Sequence, residues 1–229
     1  MGVPSSTFGK PRPRSNSLVL EWAEEKVKDF LGEDEMTPDG VFVGLIYGLT
    51  TFVRPRPVTR SGKEEESCDL NNEFEAQYAN DAVLFELGCH MYSWISAWLF
   101  LHRAELYRPI TMVFLRHFTD LFAWALQIAN VSDLLDERVS QYVDFVGTEN
   151  AIQKSHDCLY ALILRTKGNR KPEHYDFGNE PAILEGAVEE FALRTKLQTW
   201  ETIMLPTLIG SVEEATAMMQ SGPNDKDAT

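Results

Sequence analysis

Residues 81–130 place two apolar helical patterns in succession, and few folds can accommodate them. The first reads NDAVLFELGCHMYSWISAWLFLHRAELY and the second RPITMVFLRHFTDLFAWALQIAN, with Arg108-Pro109 at the joint. At 100° per residue, Leu84, Phe85, Leu87, Met91, Trp94, Ile95, Trp98 and Leu99 cover most of the first helix. A helix apolar on most of its surface is enclosed by other helices. Ile110, Met112, Phe114, Leu115, Phe118, Leu121, Phe122 and Leu126 do the same for the second. Both reach nearly membrane-spanning length, yet Glu86, His90, Arg116, His117 and Asp120 lie near mid-span, where a bilayer makes ionisable groups costly. The expected arrangement is a buried antiparallel hairpin at the centre of an all-α, single-domain bundle of about seven helices, not a transmembrane pair.

The minority face of each helix is ionisable or small. In the first it is Glu75, Ala79, Ala82, Glu86, His90, Ser93 and Ala97; in the second Val113, Arg116, His117, Asp120, Trp124 and Gln127. Counting outward from Arg108 puts Ala97 near Asp120 and His90 near Gln127, so the two stripes are expected to face each other. That would create a pocket bordered by Glu86, His90, Ser93, Arg116, His117, Asp120 and Gln127.

Along the rest of the chain, start and stop signals divide further helices. Residues 1–16 read as a flexible basic arm. Met1-Gly2 with Ser6 fits the loose N-myristoylation pattern, and Lys10, Arg12 and Arg14 would add an electrostatic anchor. Ser17 caps a helix ending at Gly32, and Thr37-Pro38-Asp39 opens another through GVFVGLIYGLTTFV. In that segment Gly40, Gly44 and Gly48 share one face, which would let another backbone approach. Residues 53–68 form a polar, mobile connection, in which Arg54, Arg56 and Arg60 could grip an anionic ligand. Later helices start at Ser132 and after Thr148, the latter ending with Arg165, Lys167 and Gly168. Pro181 opens a long amphipathic helix that Pro206 terminates, Ser211-Val-Glu-Glu214 caps a short last helix, and residues 221–229 form a disordered tail. The helical domain spans residues 17–220.

The net charge of −14 falls entirely on residues 61–229. Such a surface repels phosphate backbones and argues against nucleic-acid binding, while suiting a partner with a basic surface. Cys68, Cys89 and Cys158 are odd in number and lack a CxxC pair, which argues against disulfides or structural zinc and for a reducing, cytoplasmic location. No apolar secretory leader is visible.

Glu86 and His90, His102 and Glu105, and His117 and Asp120 each place a carboxylate and an imidazole within one helical turn. A carboxylate so placed orients a histidine and raises its basicity for general-base work or metal ligation. Di-metal bundles, however, use Glu-x-x-His on two helices, an order absent here, so neither metal nor cofactor is expected. No GxSxG, Cys-His signature or phosphate-cradling loop is present. The expected function is a non-catalytic interaction or regulatory protein with acidic helical faces, a homo-oligomer remaining open. The alternatives are an enzyme that binds a small molecule or uses a metal between the two stripes, and a peripheral protein anchored by lipid through its N-terminal arm.

Overall fold

The computed structural model describes residues 17–30, 36–53, 78–145, 148–175 and 188–221. The basic arm with Lys10, Arg12 and Arg14, the arginines Arg54, Arg56 and Arg60, Cys68, Pro181 and the tail after Ser221 lie outside them. All regular structure among the described residues is helical, so the protein is an all-α bundle. In chain order the helices are α1 (Leu18–Phe30), α2 (Pro38–Val53), α3 (Asp81–His102), α4 (Ala104–Leu126), α5 (Val131–Phe145), α6 (Ala151–Thr166) and α7 (Val188–Thr199). A π-helical turn (Trp200–Met204) leads directly into α8 (Leu205–Ser221).

Ser17 and Thr37 cap their helices as their sequence signals require, whereas Ser132 lies inside α5 and does not cap it. Ser17 Oγ accepts from Leu20 N–H at 3.1 Å, and Thr37 Oγ1 from Gly40 N–H at 3.1 Å, with Pro38 opening α2. Asn80 caps α3 by accepting from Val83 N–H at 3.0 Å. Asp81, the next residue, reaches across to α1. Its carboxylate accepts from Leu18 N–H and Val19 N–H, each at 3.0 Å, and from Ser17 Oγ at 2.6 Å. One buried carboxylate thus sits at two helix N-termini, where both dipoles favour its charge.

α3 is the axis of the bundle: every residue from 81 to 93 is buried, and one apolar cluster extends from it to residues of every other helix. α4 packs against it through an aromatic column. Phe114, Phe118 and Phe122 stand one turn apart, with ring centroids 5.3 and 4.5 Å from one to the next. Phe85 lies 5.7 Å from Phe118 and 5.5 Å from Phe122, and Tyr92 stacks on Phe114 at 4.8 Å. Gly88 makes the approach possible, because a Cβ there would fall 2.5 Å from Phe118 Cε2.

These pairs fix an antiparallel hairpin, but its pivot is Arg103 and not Arg108-Pro109. Arg103 N–H closes α3 on Leu99 O at 2.8 Å, and Arg103 O accepts from Leu106 N–H and Tyr107 N–H to start α4. Pro109 sits inside α4 on an exposed face, where water can reach the carbonyl left without a donor. Moving the pivot by five residues slides the register by about three helical turns. It also separates His102, which ends α3, from Glu105 on α4.

Two further expectations are corrected. Pro206 does not end a helix: the π-helical turn, with Leu205 N–H bonded to Trp200 O, widens the backbone just before the proline and takes up its ring. Ser211 consequently lies within α8, its hydroxyl donating to Thr207 O at 3.1 Å rather than capping a new helix. The glycine face of α2 also divides. Gly48 meets Leu208 on α8, where a Cβ would be 2.5 Å from Leu208 Cδ2, whereas Gly44 faces open space.

Candidate functional site

The slipped register and the rotation of α3 send the two polar stripes to different neighbours. On α3, Glu86, His90 and Ser93 are buried, and Glu86 and His90 meet α5, α6 and the π-helical turn. On α4, Arg116, Asp120 and Gln127 are exposed, and His117 is partly so. The expected pocket between the stripes is therefore not assembled: Glu86, His90 and Ser93 stand apart from Arg116, His117, Asp120 and Gln127.

Glu86 is held by Arg138 of α5, which the sequence patterns left unremarked. Arg138 Nε donates to Glu86 Oε2 at 2.9 Å and Nη2 to Oε1 at 3.1 Å, a bidentate pair with 0% and 1% of the two side chains exposed. Nη2 also donates to Glu173 O at 2.7 Å, and Nη1 to Glu137. Burial raises the Glu86 carboxyl above its ordinary range, only partly offset by the arginine. For Arg138, burial would lower the pKa, but the charge and hydrogen bonds of Glu86 outweigh it and hold the guanidinium firmly charged. At the outer edge, burial works against ionising Glu137. Hydrogen bonds from His174 and Tyr175 N–H, with the charge of Arg138, overcome that effect and lower its carboxyl. Arg138 and Glu137 thereby tie residues 173–175 to α5.

His90 occupies a second polar enclosure. Trp200 Nε1 points at Nδ1 from 3.2 Å, Ser155 Oγ lies 3.0 Å from Nε2, and Trp94 Nε1 lies 3.2 Å from the same nitrogen. A neutral imidazole offers one lone pair and one N–H. Trp200 has no exposure and must find an acceptor, whereas Trp94 is partly exposed and can bond water. Burial therefore selects the tautomer in which Nδ1 accepts from Trp200 and Nε2–H donates to Ser155. An imidazolium would add an N–H at Nδ1, facing the Trp200 indole N–H; burial, then the nearby His156, lowers the His90 pKa to about 3. His156 itself pairs with Glu201 of the π-helical turn at 2.8 Å, and that hydrogen bond raises its pKa despite partial burial.

Ser155 and His90 form a hydrogen-bonded pair, but both are buried and neither lines the groove described next. Ser93 donates to Cys89 O at 2.9 Å. Cys89 and Cys158 are buried free thiols; burial pushes Cys158 up to about 12 and holds Cys89 well above its ordinary value. Among the described residues, no group of three or more His, Cys, Asp or Glu is placed to hold a metal ion. No described helix is long and apolar enough to cross a membrane.

The exposed stripe of α4 contributes to a different feature. His117, Asp120, Leu121 and Trp124 line a surface groove of about 270 Å³ whose opposite wall is Trp22 of α1. Trp22 is steadied by an edge-on contact with Phe42, centroids 5.9 Å apart, and His117 by a hydrogen bond with Asp39 at 2.7 Å. Trp124 is 54% exposed. Asp120 is exposed, and among the described residues neither the neighbouring Arg116 nor any other cation pairs with it. Gln127 ends the helix in the left-handed conformation, its carbonyl accepting from Lys171 Nζ at 3.0 Å. The sequence signal for the groove was Trp124, an indole on the polar face of α4. Its partner Trp22 could be assigned only once α1 was placed.

No family model, curated protein or solved structure matches the chain.

Proposed function

We propose that the protein is a non-catalytic interaction protein that binds a basic partner through the uncovered face of α4 and the adjoining face of α1. The observation that carries this reading is the solvent-facing indole of Trp124 beside the exposed carboxylate of Asp120, which no cation among the described residues pairs. A large apolar surface rimmed by charge is a common mark of a docking site. Glu21 and Glu25, both exposed, flank Trp22 on α1, and the whole chain carries a net charge of −14. Both favour a basic counterpart and would speed its encounter. Against catalysis stands the internal use of the buried ionisable groups: Glu86 is bound to Arg138, and His90 is enclosed by two indoles and a serine. Two buried free thiols suit a reducing, cytoplasmic setting.

The test is affinity capture from extract of the native host at 50 and 500 mM salt, with the wild type and a Glu21→Gln, Glu25→Gln, Asp120→Asn variant. The expected result is a basic protein retained by the wild type at low salt and released by high salt. The variant should fail to retain it. Absence of any salt-sensitive partner, together with a clear shift in melting temperature on adding a small molecule, would replace this reading with that of a ligand-binding enzyme.

A further inference from the structure

We propose that the groove between Trp22 and Trp124 is the subsite for a single arginine side chain of the basic partner; this deepens the reading above and rests on it. The volume of about 270 Å³ lies below the range of roughly 300–1,000 Å³ typical of small-molecule and cofactor sites, and suits one long side chain. Its walls are two indoles, the aromatic rings that attract cations most strongly across their faces. Its rim carries Asp120, for which the described residues provide no cation, and His117 is already turned toward Asp39. A planar guanidinium can stack on an indole and present paired N–H donors to a carboxylate at the same time. An ammonium is a more strongly hydrated point charge and cannot use both walls and the acid so fully, which selects arginine over lysine. On the same side of α1, one turn from Trp22, Glu25 is exposed and Lys26 is paired with Asp29 at 3.2 Å. Arg116, exposed one turn before Asp120, limits the approach to a cation that enters from the Trp124 side.

The experiment is calorimetric titration of the full chain with hexa-arginine and hexa-lysine peptides at low salt. Trp124→Ala and Asp120→Asn are compared with Glu213→Gln, an exposed acid on α8 that serves as the charge control. Thermal melting checks that each variant is folded, which the exposure of both groove residues favours. The expected result is tighter binding of hexa-arginine than of hexa-lysine, weakened about tenfold by either groove substitution and little changed by Glu213→Gln. Binding that survives Trp124→Ala, or that falls equally in Asp120→Asn and Glu213→Gln, would overturn the subsite while leaving the basic-partner reading in place. No binding of either peptide to the wild type would sink that reading and the subsite with it. A concentration-dependent dimer in sedimentation, lost in Trp124→Ala, would make a second copy of the chain the occupant and also overturn the proposal.

Discussion

Replacing Arg138 by methionine keeps an unbranched chain of similar reach but removes the guanidinium from Glu86. The lone carboxylate then has 0% exposure and no counter-ion, so it folds either charged at high cost or protonated. Protonation sets the ceiling on the charge penalty. Taking a carboxyl of ordinary pKa 4.5 to its neutral form at pH 7 costs about 1.4 kcal/mol per pH unit, or roughly 3.4 kcal/mol. Losing the donors to Glu173 O and Glu137 adds about 1 kcal/mol, giving about 4 kcal/mol in total, within the range for broken buried pairs. For a chain of this size that corresponds to a melting temperature lower by roughly 8–16 °C. The sign with pH follows from linkage. A carboxyl raised in the folded state contributes stability below its unfolded pKa and loses it as pH rises through the folded value. The deficit of Arg138→Met should therefore shrink by about 1.4 kcal/mol for each unit of acidification between pH 7 and 5. Adding Glu86→Gln removes the proton requirement, so the double variant should recover most of the loss and show no such slope. Urea unfolding at pH 5, 6 and 7 measures all of this. A deficit under about 1 kcal/mol at pH 7, or one independent of pH, would refute the account of the pair.

His90 should give the opposite pH dependence. Its pKa of about 3 lies below the unfolded value of 6.5, so the unfolded chain binds the proton first. Stability present above pH 6.5 should be lost as pH falls toward 3, by up to roughly 5 kcal/mol, and His90→Gln should flatten that slope in urea titrations. Asp81→Ala removes the acceptor for Leu18 N–H, Val19 N–H and the Ser17 hydroxyl; a loss of about 2–3 kcal/mol is expected, with faster hydrogen exchange at the start of α1. Gly88→Ala should destabilise by about 1–2 kcal/mol despite the better helix propensity of alanine, because the Phe118 ring must move. Gly44→Ala, with nothing near its Cβ, should stabilise by roughly 0.5–1 kcal/mol. Thermal melts of the two glycine variants with the same sign would contradict the packing described for α3 and α4.

The all-α class was legible because it rests on local pattern. The unbroken burial of residues 81–93 follows from a helix with apolar side chains almost all round, and Ser17, Thr37 and Gly168 mark helix ends as their chemistry requires. The turn of the hairpin was misplaced because a proline is a strong stop signal only when nothing compensates it. Pro109 is tolerated on an exposed face of α4, and Pro206 follows a π-helical turn. Misplacing that turn carried the stripes with it, since a sum over residue positions doubles any error in the pivot. Arg138 left a trace that could have been followed: it falls in step with Val131, Leu134, Leu135 and Tyr142 on the apolar face of α5, where an arginine needs a buried acid. Ser155 similarly stands in step with Leu159 and Leu162 on α6.

Spacing within one helix shows which groups could meet locally, but the polar contacts that position α3 join residues far apart in sequence. Asp81 bonds to Ser17 across 64 positions, Glu86 to Arg138 across 52, and His90 to Ser155 and Trp200 across 65 and 110. The apolar side chains of α3 restrain its rotation weakly, because nearly every direction around it offers other apolar groups. Turning the helix by one residue would swing Asp81, Glu86 and His90 each about 100° from its partner. Each buried group left unpaired then costs about 1–3 kcal/mol, and more where it is charged. Asp81 points to α1, while Glu86 and His90, about 40° apart around the axis, point to α5, α6 and the π-helical turn. Glu86 and His90 are two of the ionisable groups that sequence spacing offered as a pocket. Their placement gives them a structural use that accounts for their burial without a ligand, and among the described residues the exposed groove between α1 and α4 is a place to look for one.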